Sequence, residues 1–332
     1  MPTGKVDRNL NIVAIGGGTG LATLLSGLKA FVSPTGGDGP SIRDLTAIVA
    51  VSDDGGSSGR LRDELDMPPP GDIRNCMVAL SEDSHLLSRL FRYRFAGRGE
   101  LGGHSFGNLF LAALSGVTGD FAEAVRLSSE ILASKGRIFP ATVSNVRLAA
   151  TLPDGSTVRG ETNISRTGGA VQRLYLEPED CEPHPDSLKA IESADLITIG
   201  PGSLFTSLLP PLLVKGVPQA IERSSARKIF ICNLMTQPGE TDGLTARRHL
   251  EIVREYARDL NFDFLIVNKT PVTAEQAVRY AAEGAEQIGV RGSIDSAVIE
   301  GTEVLFRDLL DKGEKVRHDP EKLARSVVGI AD

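Results

Sequence analysis

The chain has 332 residues, 41% of them hydrophobic and 24% charged, with a net charge of −7. That length holds one large α/β domain or two smaller ones, and the acidic balance argues against a nucleic-acid binder, which needs a basic face. Three cysteines with no close pair and no zinc spacing point to a reducing, cytoplasmic compartment, and no apolar run has the length of a bilayer span or a signal peptide, so no membrane insertion is expected.

In chain order, LNIVAI (10–15) predicts a short buried strand and LATLLSGLKAF (21–31) a helix with its leucines on one face. A loop rich in glycine and proline runs through residue 40. LTAIVAVSDD (45–54) then predicts a second buried strand that ends in two aspartates. Strand, helix and strand form a β-α-β unit, which implies a parallel sheet. Helical patterns follow at DIRNCMVALSE (72–82), HLLSRLFRYRF (85–95), FGNLFLAALSGV (106–117) and FAEAVRLSSEIL (121–132).

VRLAATLPDGSTVRGETNI (146–164) differs, because two β-prone runs flank a Pro-Asp-Gly-Ser turn. Residues 137–180 are therefore expected to be a β-rich antiparallel insertion. The α/β rhythm returns with SLKAIESA, DLITIG, PGSLFTSLLPPLL, RKIFICNL, LTARRHLEIVREYA, FDFLIVN and AEQAVRYAAEGA. In HDPEKLARSVVGI, Asp319 is an expected N-cap with Pro320 at the first helical position. The whole predicts a single α/β domain over residues 1–332. It is a doubly wound three-layer α/β/α fold with a mostly parallel sheet and a small antiparallel β insertion.

Ligands of such folds bind at the carboxyl ends of the strands. Four polar, glycine-rich junctions fall there: GGGTG, SDDGGSSGR, GPGSLF and NLMTQPGETDG. In the first, Gly17, Gly18, Thr19 and Gly20 can turn backbone N–H groups toward an anion at a helix N-terminus. A dinucleotide fingerprint would need glycine at position 21, where Leu21 stands, and a phosphate loop would need a lysine before Lys29. A nicotinamide-dependent dehydrogenase therefore fits the first β-α-β unit but not this turn.

Asp53 and Asp54 run into Ser57, Ser58 and Arg60. Carboxylates beside a hydroxyl-rich loop suit Mg²⁺ with a phosphate; the same residues also suit an Asx turn that caps a helix. PPPGDIRN adds Asp72, Arg74 and Asn75 as mouth or capping residues, and GGHSFGN offers His104 and Asn108. Gly200, Gly202 and Ser203 can donate to a second anion or a sugar hydroxyl. Asn233, Thr236 and Gln237 suit a hexose or the edge of a base. The four junctions together indicate a nucleotide or sugar-nucleotide site, with no organic cofactor expected.

These stretches, with VSDDGGSSGRLRDEL, GHSFGNL, IGPGSLFTSLLP and ICNLMTQPGETDGLTA, resemble the YvcK family of gluconeogenesis factors within the CofD-like superfamily, over roughly residues 9–330. The resemblance implies binding of UDP-sugars, notably UDP-N-acetylglucosamine, and a link to carbon metabolism, cell-wall homeostasis and cell shape. It implies a regulator that works through a protein partner. Another branch of the superfamily transfers phospholactate from a nucleotide-activated donor to a deazaflavin with Mg²⁺, and Asp53 and Asp54 occupy the matching place. That branch carries a lysine or arginine after the glycine loop, where this chain has Leu21-Ala22-Thr23. The resemblance also assigns Tyr280 to stacking on the base and Arg317 to the diphosphate, so that residues 270–332 complete the ligand site. A homodimer is the base-rate expectation for assembly.

Overall fold

The computed structural model describes residues 9–33, 41–82, 86–167, 171–289 and 297–331. Residues 34–40 of the expected glycine- and proline-rich loop lie outside them. The strands in chain order are β1 (Asn9–Gly16), β2 (Ser41–Val49), β3 (Arg137–Pro140), β4 (Arg147–Thr151), β5 (Thr157–Arg159), β6 (Arg173–Glu177), β7 (Leu196–Ile199), β8 (Arg227–Ile231), β9 (Phe264–Asn268), β10 (Val298–Ile299) and β11 (Thr302–Arg307). Eight of them form one sheet in the order β10-β11-β9-β8-β7-β1-β2-β3. All its pairings are parallel except β10 with β11. The central strands read as unbroken apolar runs because helices cover both faces. Ile12, Ala14 and Ile15 of β1 and all of Leu196–Ile199 are buried.

The order fixes where a ligand can enter. From β1 the chain winds outward to β2 and β3, and from β7 it winds the other way to β8, β9 and β11. The reversal lies between β1 and β7, which pair through Ile12–Ile15 and Leu196–Ile199. There the loops leaving adjacent strands splay to opposite faces and open a crevice.

The three-layer prediction holds, and so do most of its elements. The Gly18–Leu28 helix buries Leu21, Leu24, Leu25 and Leu28 along one stripe, and each is worth roughly 2 kcal/mol on leaving water. It packs between the Gly71–Leu80 and Pro320–Val328 helices. The last contact is so close that a Cβ on Gly27 would lie 2.0 Å from the Pro320 carbonyl oxygen. Asp319 caps that final helix, accepting from Lys322 N at 3.0 Å.

The antiparallel insertion is a three-stranded sheet, β5-β4-β6. Its hairpin turns at Leu152–Ser156, as the Pro-Asp-Gly-Ser signal implies. The first strand in the 137–180 span, β3, belongs instead to the edge of the main sheet, parallel to β2.

The stretch after Asp54 also departs from the sequence reading. GSSGRLRDEL, read as a hydroxyl-rich loop, is the Gly56–Leu65 helix, which agrees with the alternative reading of an Asx turn leading into a helix. Glycine and serine are poor helix formers, but burial of Ser57, Ser58, Leu61 and Arg62 overrides local propensity. Among the described residues, no single helix is long and apolar enough to cross a membrane.

Candidate ligand-binding cleft

The loops leaving β1, β7 and β8 meet at the reversal. Ala50 N donates to Gly16 O at 2.8 Å, which ties the end of β2 to the first glycine loop. Gly202 N donates to Asn233 Oδ1 at 3.1 Å, joining the loops after β7 and β8. Gly200 lies beneath, with its N–H on Ile15 O at 3.1 Å.

These loops and the closing segment line a cleft of about 440 Å³. Its wall includes Gly17, Gly18, Thr19, Gly20, Gly202, Ser203, Asn233, Thr236, Gln237, Tyr280 and Arg317. Three sequence-distant junctions and the two residues assigned by resemblance therefore share one site.

Several of these groups already have partners. The Thr236 backbone N–H donates to Glu286 O and its hydroxyl accepts from Glu286 N, both at 2.8 Å. Ser203 Oγ bonds to Thr206 Oγ1 at 2.7 Å and donates to Glu240 Oε1, which also accepts from Phe205 N at 2.9 Å. Burial raises the Glu240 carboxyl above its ordinary pKa. Ser203 therefore anchors its loop. Tyr280 Oη accepts from Val316 N at 3.0 Å, which fastens the Arg317 segment to the Ala274–Ala282 helix. The Arg317 side chain is exposed, and among the described residues it makes no hydrogen bond or ion pair. It is a cation at the rim that can reach a phosphate.

The residues of the second junction do not line this cleft. Ser57 Oγ lies 3.0 Å from His104 Nδ1 and accepts from Asn108 Nδ2 at 3.1 Å, and Asn108 also reaches Ser58 Oγ at 3.4 Å. This buried network joins the Gly56–Leu65 and Phe106–Thr118 helices. Burial lowers the His104 pKa, aided by the charge of Arg60. Arg60 donates to the carbonyls of Gly102 at 3.0 Å and Glu100 at 2.5 Å. Asn75 lies beside the Asp72 carboxylate and favours its charged form.

Asp72 links the two regions. Its Oδ2 accepts from Gly18 N at 2.7 Å, in the glycine loop itself. Burial, followed by the charge of Asp53, pushes its pKa up to about 6. Asp53 Oδ1 accepts from Gly55 N at 2.8 Å. Asp54 turns away, with Oδ1 accepting from Thr162 Oγ1 at 3.1 Å and Thr162 N at 3.2 Å. Glu161 accepts from Ser52 Oγ at 2.9 Å, and burial, then Asp53, raise it well above the usual carboxylate range.

Among the described residues, no three His, Cys, Asp or Glu side chains converge to hold a metal. Mg²⁺ often takes only one or two carboxylates, completing its shell with water and ligand phosphates. Asp53 and Asp72 fit that demand, since a cation there would offset the repulsion that raises Asp72. The adjacent Asp53 and Asp54 do not, because they diverge.

The profile of the family described as 2-phospho-L-lactate transferase CofD matches residues 12–310. The chain belongs to the CofD family. Among its CofD-family relatives, the gluconeogenesis factor of Halalkalibacterium halodurans is 44% identical over 321 residues, spanning 97% of this chain and 96% of that one. The gluconeogenesis factor of Bacillus subtilis is 42% identical over 320 residues, spanning 96% and 97%. An X-ray crystal structure of a Bacillus halodurans protein superposes with a TM-score of 0.89 at 42% identity, covering 97% of this chain and 100% of that chain. The resemblance to gluconeogenesis factors carried by the motifs is thus borne out across the CofD fold.

Glu161, Glu240 and His318 are absent from the site expected from sequence. Each stands alone in a loop or at an element boundary, where no periodic pattern marks it. Asp72 was visible only as a mouth or capping residue.

Proposed function

We propose that the protein is a cytoplasmic regulator that binds a nucleoside diphosphate sugar of the UDP-N-acetylglucosamine kind in this cleft. It signals the supply of that sugar to carbon metabolism, cell-wall homeostasis and cell shape through a protein partner. One observation carries the reading: neutral glycine loops, the Asn233–Gln237 loop, Tyr280 and the unpaired Arg317 line a single cleft. Backbone N–H groups and Arg317 suit the diphosphate. The amides suit the sugar hydroxyls, and the Tyr280 ring suits the base. Mg²⁺ held by Asp53 and Asp72 would neutralise the diphosphate.

The test is thermal unfolding with UDP-N-acetylglucosamine, with and without Mg²⁺. At a hundredfold excess over Kd, one bound ligand adds about 2.7 kcal/mol and raises Tm by several degrees. An unmoved Tm at millimolar ligand would sink the reading. Product formed from a nucleotide-activated phospholactate and a deazaflavin would replace it with a transferase.

A further inference from the structure

Strand β3 forms one edge of the eight-stranded sheet, two strands out from β1. It pairs with residues 46–49 of β2, and just beyond it Ala141 N donates to Val49 O at 2.8 Å. A paired strand turns the peptide groups of alternate residues to its neighbour. Arg137 and Phe139 therefore face β2 with their backbone, while Gly136 and Ile138 turn theirs outward. Among the described residues, no hydrogen bond reaches the outward N–H and carbonyl groups of Gly136 and Ile138.

Farther along, the same edge is covered by the chain itself. Thr142 bridges Pro183 in antiparallel fashion, His184 N donates to Ala141 O at 3.2 Å, and Thr142 Oγ1 donates to Glu182 O. Ser187 Oγ then donates to Pro140 O at 3.2 Å. The Pro185–Glu192 helix begins there, so the extended cover stops and the edge at residues 136–138 stays open. This edge is the floor of a groove of about 550 Å³, walled by that helix and by the Phe121–Ile131 helix with the turn after it. Lying between two helices, the floor admits a single extended strand and not the edge of a second sheet. An open edge of this kind takes a strand whose backbone completes the ladder.

The side chains set the pattern of that strand. Arg137 and Phe139 share one face, where the Phe139 ring stacks on His184 at 5.1 Å, and Ile138 has the other. The charged groups of the groove are Arg126, Arg137 and Lys189 against Glu130 and Asp186. Arg126 pairs with Glu123 at 2.6 Å and with Glu130, and Lys189 pairs with Asp186 at 2.8 Å. Arg137 stands 3.5 Å from Asp44. The groove is thus locally cationic on a chain of net charge −7. An added strand meets positive charge on one face and apolar surface on the other.

We propose that the open edge of β3 docks an extended segment of a partner protein in which acidic and β-branched residues alternate. This rests on the partner half of the regulator reading above and not on its ligand. The experiment titrates the peptide Trp-Gly-Val-Glu-Val-Glu-Val into the full chain, which has no tryptophan of its own, and follows the peptide's fluorescence. The peptide binds saturably and slows amide exchange across residues 136–138. Methylating its central backbone nitrogens weakens binding about tenfold. Arg137→Glu, at an exposed position, weakens binding of the Glu peptide about tenfold and favours its Lys counterpart.

Absence of saturable binding at millimolar peptide would overturn the proposal, as would equal binding of the methylated peptide. A dimer that forms with protein concentration and slows exchange across residues 136–138 would give the edge to a second copy of this chain, and would overturn it too. UDP-N-acetylglucosamine raises Tm equally in the wild type and Arg137→Glu. Failure at the groove therefore leaves the nucleotide-sugar reading standing, and an unmoved Tm leaves the groove standing.

Discussion

Gly20 and Pro201 meet backbone to backbone: a Cβ on Gly20 would lie 2.3 Å from the Pro201 carbonyl oxygen. The first glycine loop and the loop after β7 thus touch at a point that admits no side chain. Gly20→Ala must push the two loops apart. It will destabilise the protein by about 1–3 kcal/mol and weaken UDP-N-acetylglucosamine binding at least tenfold. Urea unfolding and calorimetric titration of the same preparation measure both.

Tyr280→Phe keeps the ring but removes the hydroxyl that accepts from Val316 N. The loss is about 1 kcal/mol in stability, and the Arg317 segment loosens. Affinity for UDP-sugars falls several-fold, whereas Tyr280→Ala, which also loses the ring, falls further. Equal affinities for the two variants would show that the ring does not contact the ligand.

Arg60→Ala is the contrasting case. Both carbonyls that Arg60 caps belong to the Gly97–Gly103 turn and not to the cleft. The variant should speed amide exchange in that turn and leave UDP-sugar affinity unchanged. A tenfold loss of affinity would return Arg60 to the binding site.

The first strand, the leucine face of its helix, the parallel sheet and the Asp319 cap were all legible in the chain, because each follows from apolar period or capping chemistry. The meeting of GGGTG, GPGS and NLMTQ was legible too, since a doubly wound topology sends the carboxyl ends of its strands to one edge. What escaped was tertiary. Ser57 and His104 looked available in the sequence, yet they are hydrogen-bonded to each other. Asp53 and Asp54 looked like a pair, yet one faces Asp72 and the other Thr162. Adjacent side chains on an extended backbone point opposite ways, and no motif reveals which of two neighbours turns toward a site.

Asp72 and His318, both half-buried, set an opposed pH response. The folded pKa of Asp72 is raised from 3.8 to about 6. Its contribution to stability is therefore greatest below 3.8 and is lost as pH rises through 6, a swing of about 3 kcal/mol. The folded pKa of His318 is lowered from 6.5 to about 4. Its contribution is full above 6.5 and is lost as pH falls toward 4, again about 3 kcal/mol. Between pH 6.5 and 4 the two nearly cancel. Asp72→Asn should be more stable than wild type at pH 7.5, and it should lose stability on acidification where the wild type does not. Urea midpoints from pH 4 to 8 test the sign.

The contact of Gly27 with Pro320 also bears on the order of synthesis. The helix that follows the glycine loop leans on a helix made about 300 residues later. At typical ribosomal speeds that interval lasts roughly 15–60 s. Throughout it Leu21, Leu24 and Leu28 have only part of their cover, and the wall bearing Tyr280 and Arg317 does not exist. The nascent chain therefore keeps part of this leucine face uncovered until the end of synthesis, and a ligand of the cleft can stabilise the protein only after translation is nearly finished.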